Sequence, residues 1–174
     1  MTQLPRPILP ALLLGLVFAA SAPGCRTTAP EPGAAPALVG AWRAHVQFTA
    51  GVLAPLKDLE FLYVFNAGGT LTESSNYDSS PPVPPAYGEW RQTGPGRFET
   101  KYTFFSTNPP AEWKSLAEGG GWMPAGFGVL TEKIALAADG RSYDSSLMLE
   151  LFDTAGKTVA GGGAAAVHAQ RAGF

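Results

Sequence analysis

From Leu38 onward, apolar residues recur at every second position in short runs, and Gly, Asp or Pro bounds nearly every run. A strand sends successive side chains to opposite faces, so this period puts one set into a core and the other into water. Trp42, Ala44, Val46 and Phe48 form such a set, with Arg43, His45 and Gln47 on the other face. There is almost no helical periodicity, so the pattern is all-β. The candidate strands are Gly40 to Ala50, Leu59 to Asn66, Thr70 to Tyr77, Tyr87 to Thr93, Arg97 to Ser106, Phe127 to Ala137, Ser142 to Asp153 and Thr158 to Arg171. Eight strands in this length suit a small closed antiparallel barrel.

The connections sort into two kinds. Ala67-Gly68-Gly69, Gly94-Pro95-Gly96 and Ala138-Asp139-Gly140 are tight hairpin turns, and they alternate with longer segments at Gly51 to Asp58, Asp78 to Ala86 and Asn108 to Gly126. The connection Thr154 to Lys157 is short. In an up-and-down barrel alternate connections lie at opposite ends, so tight turns close one mouth and long loops surround the other. A ligand would enter among the loops.

The first 24 residues are of a different kind. Arg6 precedes an apolar run from Ile8 to Ala20, broken by Pro10 and Gly15 and followed by Ser21-Ala22-Pro23-Gly24-Cys25. A charged start, an apolar stretch too short to cross a bilayer comfortably and small residues before a cleavage point make an export signal. Pro23 would follow the cut at Ala20-Ser21-Ala22, where a ring and a missing N–H are poorly tolerated, which favours processing at Cys25. The segment resembles the signal peptide of bacterial lipoproteins, and the resemblance implies that Cys25, the single cysteine of the chain, is acylated and becomes the mature N-terminus. Residues 25–37, rich in Ala, Pro and Thr, cannot bury a core and read as a tether. The barrel domain is then 38–174, anchored in the cell envelope through its lipid, with delivery to an outer membrane if the cell has two.

At the domain's ends lie Gly40-Ala41-Trp42, opening the first strand, and Arg171, closing the last. In these residues the chain resembles the calycin group, which includes lipocalins, avidin-like barrels and small bacterial relatives. The resemblance implies an eight-stranded barrel in which Trp42 plugs the narrow end and Arg171 stacks on it. Ala138-Asp139-Gly140-Arg141 stands where lipocalins carry Thr-Asp-Tyr, and the sequence stops three residues past Arg171. Both departures point to a short bacterial calycin. A second Gly-x-Trp, Gly88-Glu89-Trp90, reads as a chance repeat of the motif.

Alternation assigns the other inward faces. They are Phe61, Tyr63 and Phe65; Phe98, Thr100, Tyr102 and Phe104; Leu130, Glu132, Ile134 and Leu136; and Tyr143, Leu147, Leu149 and Leu151. Val159, Gly161, Gly163, Ala165, Val167 and Ala169 share the face of Arg171. The candidate ligand contacts are Phe61, Tyr63, Phe65, Tyr102, Phe104 and Tyr143, with Trp113 and Trp122 from the longest loop. Within that loop Ala111 to Glu118 is a candidate lid helix hinged at Gly119-Gly120-Gly121; alternatively, the tryptophans simply cap the core. The small residues of the last strand leave room for a cavity or let the barrel bend.

Glu132 is the weak catalytic candidate. Buried among aromatics it would keep its proton to higher pH and act as acid or base beside Tyr63 or Tyr102; a register slip of one residue would put Lys133 inside instead. No metal site is expected, since both histidines fall on outer faces, no cysteine lies in the barrel and the carboxylates are not clustered. Some calycins hold haem through a histidine near the C-terminus, which makes His168 the one candidate ligand, but its outer face argues against it. No cofactor is expected. Lys plus Arg number 12 against 14 Asp plus Glu and are spread singly, so nucleic acid is not an expected partner. The expected function is binding of a small hydrophobic or aromatic molecule. Two alternatives stay open: a barrel-interior isomerase or cyclase, and a structural lipoprotein with a filled core.

Overall fold

The structure, a computed structural model, describes residues 37–78, 83–110, 112, 114 and 121–173. The export signal, Cys25, the tether up to residue 36, Trp113 and most of the proposed lid helix lie outside the described residues.

Eight strands run in sequence order: β1 (Gly40–Phe48), β2 (Glu60–Phe65), β3 (Thr70–Ser75), β4 (Ala86–Gly94), β5 (Arg97–Asn108), β6 (Met123–Leu136), β7 (Ser142–Phe152) and β8 (Thr158–Arg171). Each pairs antiparallel with the next, and β8 pairs with β1, so the sheet is an up-and-down closed barrel. The alternation works as read. Trp42, Ala44, Val46 and Phe48 are buried while Arg43 and His45 are exposed, and Phe61, Tyr63 and Phe65 are buried between exposed Leu62 and Val64. Outside, ion pairs bridge neighbouring strands: Arg43 to Glu60 at 2.6 Å and Arg91 to Glu99 at 2.8 Å. Charges outside and apolar side chains inside are the reverse of the distribution that a membrane-spanning barrel needs.

Two segments differ from the sequence reading, and glycine explains both. Pro124 and Gly126 look like loop residues, yet β6 begins at Met123, with Asn108 opposite Met123 and Thr107 opposite Pro124. The register shifts between Ser106 and Thr107, and Gly126 takes φ +135°, where an added Cβ would stand 1.9 Å from the Phe152 carbonyl oxygen. Gly126 thus marks an irregularity inside the sheet rather than the end of a loop. The longest connection shrinks to residues 109–122.

On β8 the run Gly161-Gly162-Gly163 accompanies a register shift opposite Leu149 and Leu151. These glycines leave no empty wall. A Cβ on Gly163 would lie 2.0 Å from the Ala50 carbonyl oxygen, and one on Gly51 would lie 2.3 Å from that of Gly162. The β1–β2 connection therefore lies against β8 at van der Waals contact, tied by the Val52 N–H to the Gly161 carbonyl at 3.0 Å. Beyond the shift Val159 is 42% exposed at the rim, although alternation puts it on the inner face.

Candidate ligand site at the barrel mouth

The interior has three levels, and the lowest is packed shut. Trp42 is fully buried and donates its indole N–H to the Leu38 carbonyl at 2.9 Å. The Arg171 guanidinium lies 4.3 Å from the Trp42 ring centroid. It also donates to the carbonyls of Gly140 at 3.1 Å, Val39 at 2.8 Å and Ala37. Gly40 makes this stacking feasible: its φ is +132°, and a Cβ there would stand 2.6 Å from Arg171 Nη1. The plug expected from Gly-x-Trp and Arg171 is thus formed in all its parts.

Trp90 belongs to the same floor. It is 7% exposed, lies 5.8 Å from Phe98 and 6.2 Å from Phe65 between ring centroids, and donates its indole N–H to the carbonyls of Asn66 and Thr70. The second Gly-x-Trp is therefore part of the plug, and reading it as a chance repeat is corrected here. Its glycine matters as much as its tryptophan, because a Cβ on Gly88 would fall 2.1 Å from the Lys101 carbonyl oxygen.

Above the floor lies a polar level. The hydroxyls of Tyr63 and Tyr102 share a hydrogen bond of 3.0 Å across the barrel. Glu132 is 1% exposed and its carboxyl accepts from the Ser145 hydroxyl; its second oxygen has no partner of normal geometry. The register is therefore the one that puts Glu132 inside and Lys133 outside. Burial pushes the Glu132 carboxyl up to about 7, against the pull of the Ser145 hydroxyl and, after it, the Tyr63 hydroxyl. Burial and then the Glu132 charge raise Tyr63, Tyr102 and Tyr143 well above the usual phenol value, so all three stay protonated.

The third level is open. A cavity of about 300 Å³ occupies the loop end of the barrel, at the small end of the usual range for small-molecule sites. Phe48, Phe61, Phe104, Leu130, Leu149 and Leu151 form its walls, and Val52, Leu53, Leu56, Val83 and Pro84 come in from the loops. Val83 and Pro84, with Pro85, are the described part of the run Pro81-Pro82-Val83-Pro84-Pro85, and Val83 and Pro84 make a stiff rim. Of the expected contacts, Phe61 and Phe104 line this cavity. Tyr63, Phe65, Tyr102 and Tyr143 are packed in the two levels beneath it, because the interior is filled from the plug upward. Trp122 is half-buried and does not line the cavity, and Glu132 does not reach it.

One polar wall was missed. Glu73, Ser75, Tyr77 and Asp78 line the cavity from β3 and the turn after it. Glu73 is 5% exposed and its Oε1 has no hydrogen-bond partner. Burial, then the charges of Asp78 and Glu132, hold its carboxyl well above the usual range. Asp78 is anchored: its carboxylate accepts from the Ser75 N–H at 2.6 Å and the Ser75 hydroxyl at 2.9 Å. The signal was present in the sequence, since Leu71, Glu73 and Ser75 alternate on one face, and the register sets Glu73 opposite Tyr63.

A broader depression of about 820 Å³ runs along β4 to β8, lined by the charged Glu89, Arg91, Glu99, Lys101 and Lys133 and also by the buried Trp90 and Glu132. Arg91 and Glu99 pair across strands at 2.8 Å and Glu89 stands opposite Lys101, which suits a solvated surface. His168 also faces outward, its Nδ1 2.8 Å from Asp144 Oδ1. Among the described residues no three His, Cys, Asp or Glu side chains are placed to hold a metal ion, and no helix is long and apolar enough to cross a membrane.

No family model, no curated protein and no solved structure matches the chain. The likeness to calycins rests on the closed eight-stranded barrel and on Gly40, Trp42 and Arg171.

Proposed function

We propose that this chain is an exported, lipid-anchored, calycin-like barrel that binds a small apolar or aromatic molecule at its loop-rich mouth. The observation that carries this reading is the 300 Å³ apolar cavity at one end of a barrel whose other end is packed solid. A filled structural barrel has no use for that asymmetry, since leaving apolar side chains around a void forfeits contacts. The enzyme alternative draws no such support, because Glu132 is not among the residues that line this cavity.

Native mass spectrometry of the protein after exposure to a cell-envelope extract tests the reading. A discrete bound mass is expected, and Ala86→Leu, which grows a side chain from a buried cavity wall, is expected to remove it. A bare protein mass in all extracts counts against a binding role. Anchoring is tested separately by metabolic labelling with an alkynyl fatty acid, which Cys25→Ser should abolish.

A further inference from the structure

The balance of charge around the cavity narrows the class of ligand. Among the described residues its lining holds two carboxyl groups, Glu73 and Asp78, and no lysine, arginine or histidine. A fatty acid or any other anion would enter such a site without a counter-charge and beside the Asp78 carboxylate. A neutral hydrocarbon would leave Glu73 Oε1 buried with nothing to bond, at a cost proteins seldom accept. A protonated amine on an apolar body meets both requirements, since the body matches the Phe and Leu walls and the ammonium supplies donors to the orphaned oxygen.

Building on the proposed mouth site, we infer that its ligand is an organic cation, a primary or secondary amine carried on a small aromatic or aliphatic frame, with Glu73 as the group that receives the ammonium and Asp78 as a fixed second charge at the rim. Asp78 is held in place by both of its bonds to Ser75, so it contributes field rather than a movable contact.

The groups that face Glu73 are Tyr63 from β2, Tyr77 and Asp78 from the turn after β3, Tyr102 from β5, Glu132 from β6 and Tyr143 from β7. The inner faces of β1 and β4 bring no titratable side chain, and that of β8 brings only Arg171, at the sealed end. Burial, with the charges of Asp78 and Glu132, favours the protonated form of Glu73. An arriving ammonium favours the carboxylate, so Glu73 releases one proton to bulk water as the ion pair forms. Amine affinity therefore rises with pH, until the amine itself loses its charge.

Three probes with one aromatic body test this on the full chain: 1-naphthylmethylamine, 1-naphthylmethanol and 1-naphthoate, titrated calorimetrically at several pH values and in two buffers of different ionisation heat. The amine is expected to bind about tenfold or more tighter than the alcohol, with the naphthoate weakest and with proton release on amine binding. Glu73→Gln should erase the amine's advantage over the alcohol and the proton release. Equal binding of amine and alcohol, or an amine preference untouched by Glu73→Gln in a variant with normal thermal unfolding, overturns the inference and leaves the mouth site standing. Binding by none of the three overturns both.

Discussion

The guanidinium of Arg171 lies 4.3 Å from the Trp42 ring centroid and reaches past it to the Val39 carbonyl at 2.8 Å, so one side chain from the last strand holds the entry of the first. Packing and hydrogen bonding contribute separately here. Trp42→Ala should cost about 3–5 kcal/mol, the usual loss for removing a fully buried large aromatic. Arg171→Met keeps the aliphatic stem but leaves three carbonyls without their donor, and should cost about 1–2 kcal/mol. Urea unfolding of both variants checks the order, and an Arg171→Met loss equal to that of Trp42→Ala would contradict it.

The tyrosine pair predicts non-additivity. Tyr63→Phe or Tyr102→Phe alone leaves the other hydroxyl buried without its partner, at about 1–3 kcal/mol. Removing both hydroxyls takes away both halves of the shared bond and counts its loss once, so the double variant should lose less than the sum of the single ones. A double-mutant cycle reads the coupling directly; a coupling of zero would mean that the 3.0 Å contact contributes nothing.

Glu132 predicts a pH profile of stability. Its folded value, about 7, lies above the ordinary 4.5. Below pH 4.5 the carboxyl is protonated in both states and burial carries no charge penalty. Between 4.5 and 7 the unfolded chain gives up the proton and the folded chain keeps it, so stability falls as pH rises, and above 7 the full penalty stays in place. At about 1.4 kcal/mol per unit the fall is about 3 kcal/mol. Glu132→Gln should flatten this part of the profile and be more stable than the parent at pH 8 but not at pH 4. Glu73 titrates with the same sign, so a residual slope remains in the variant. An unchanged slope in Glu132→Gln would refute the assignment.

Two glycines that look equivalent in sequence should behave differently. Gly88→Ala drives a Cβ to 2.1 Å from the Lys101 carbonyl oxygen, so β4 and β5 must part, whereas a Cβ on Gly68 meets nothing within 4 Å. Gly88→Ala should therefore lose about 1–3 kcal/mol or more, and Gly68→Ala should stay within about 0.5 kcal/mol of the parent. Thermal melts of the two side by side suffice.

Strand number, order and facing were legible in the sequence because period two is a local property: Trp42-Ala44-Val46-Phe48 and Phe61-Tyr63-Phe65 each declare a face without reference to any other strand. The plug was legible at Trp42 and Arg171. It was missed at Trp90 because nothing near Gly88 in sequence reveals that Tyr102 will sit against it, with its Cα 2.5 Å from the place of a Cβ. Gly126 and the Gly161–Gly163 run were misjudged for the same reason, since the partner that requires a missing side chain lies across the sheet. Glu73 was legible by alternation but drew no notice beside Glu132, because its distinction depends on which level of the barrel remains hollow. That is settled by the summed volume of all eight strands, a quantity no single segment displays.

The pairing of Trp42 with Arg171 is also the seam at which the sheet becomes a ring. Every other junction is held by a connecting loop, but β1 and β8 are joined by non-covalent contacts alone: their ladder, the stacked guanidinium and the bonds from Thr49 and Val52 to β8. While the ring is shut the sheet offers no unpaired edge to another molecule. Once the seam parts, two strands present free backbone donors and acceptors along their length, and each is a template for a strand from a neighbouring copy. The consequence of losing Arg171 is therefore greatest in concentrated solution, where the opened barrel meets its own kind and a modest loss of stability turns into self-association.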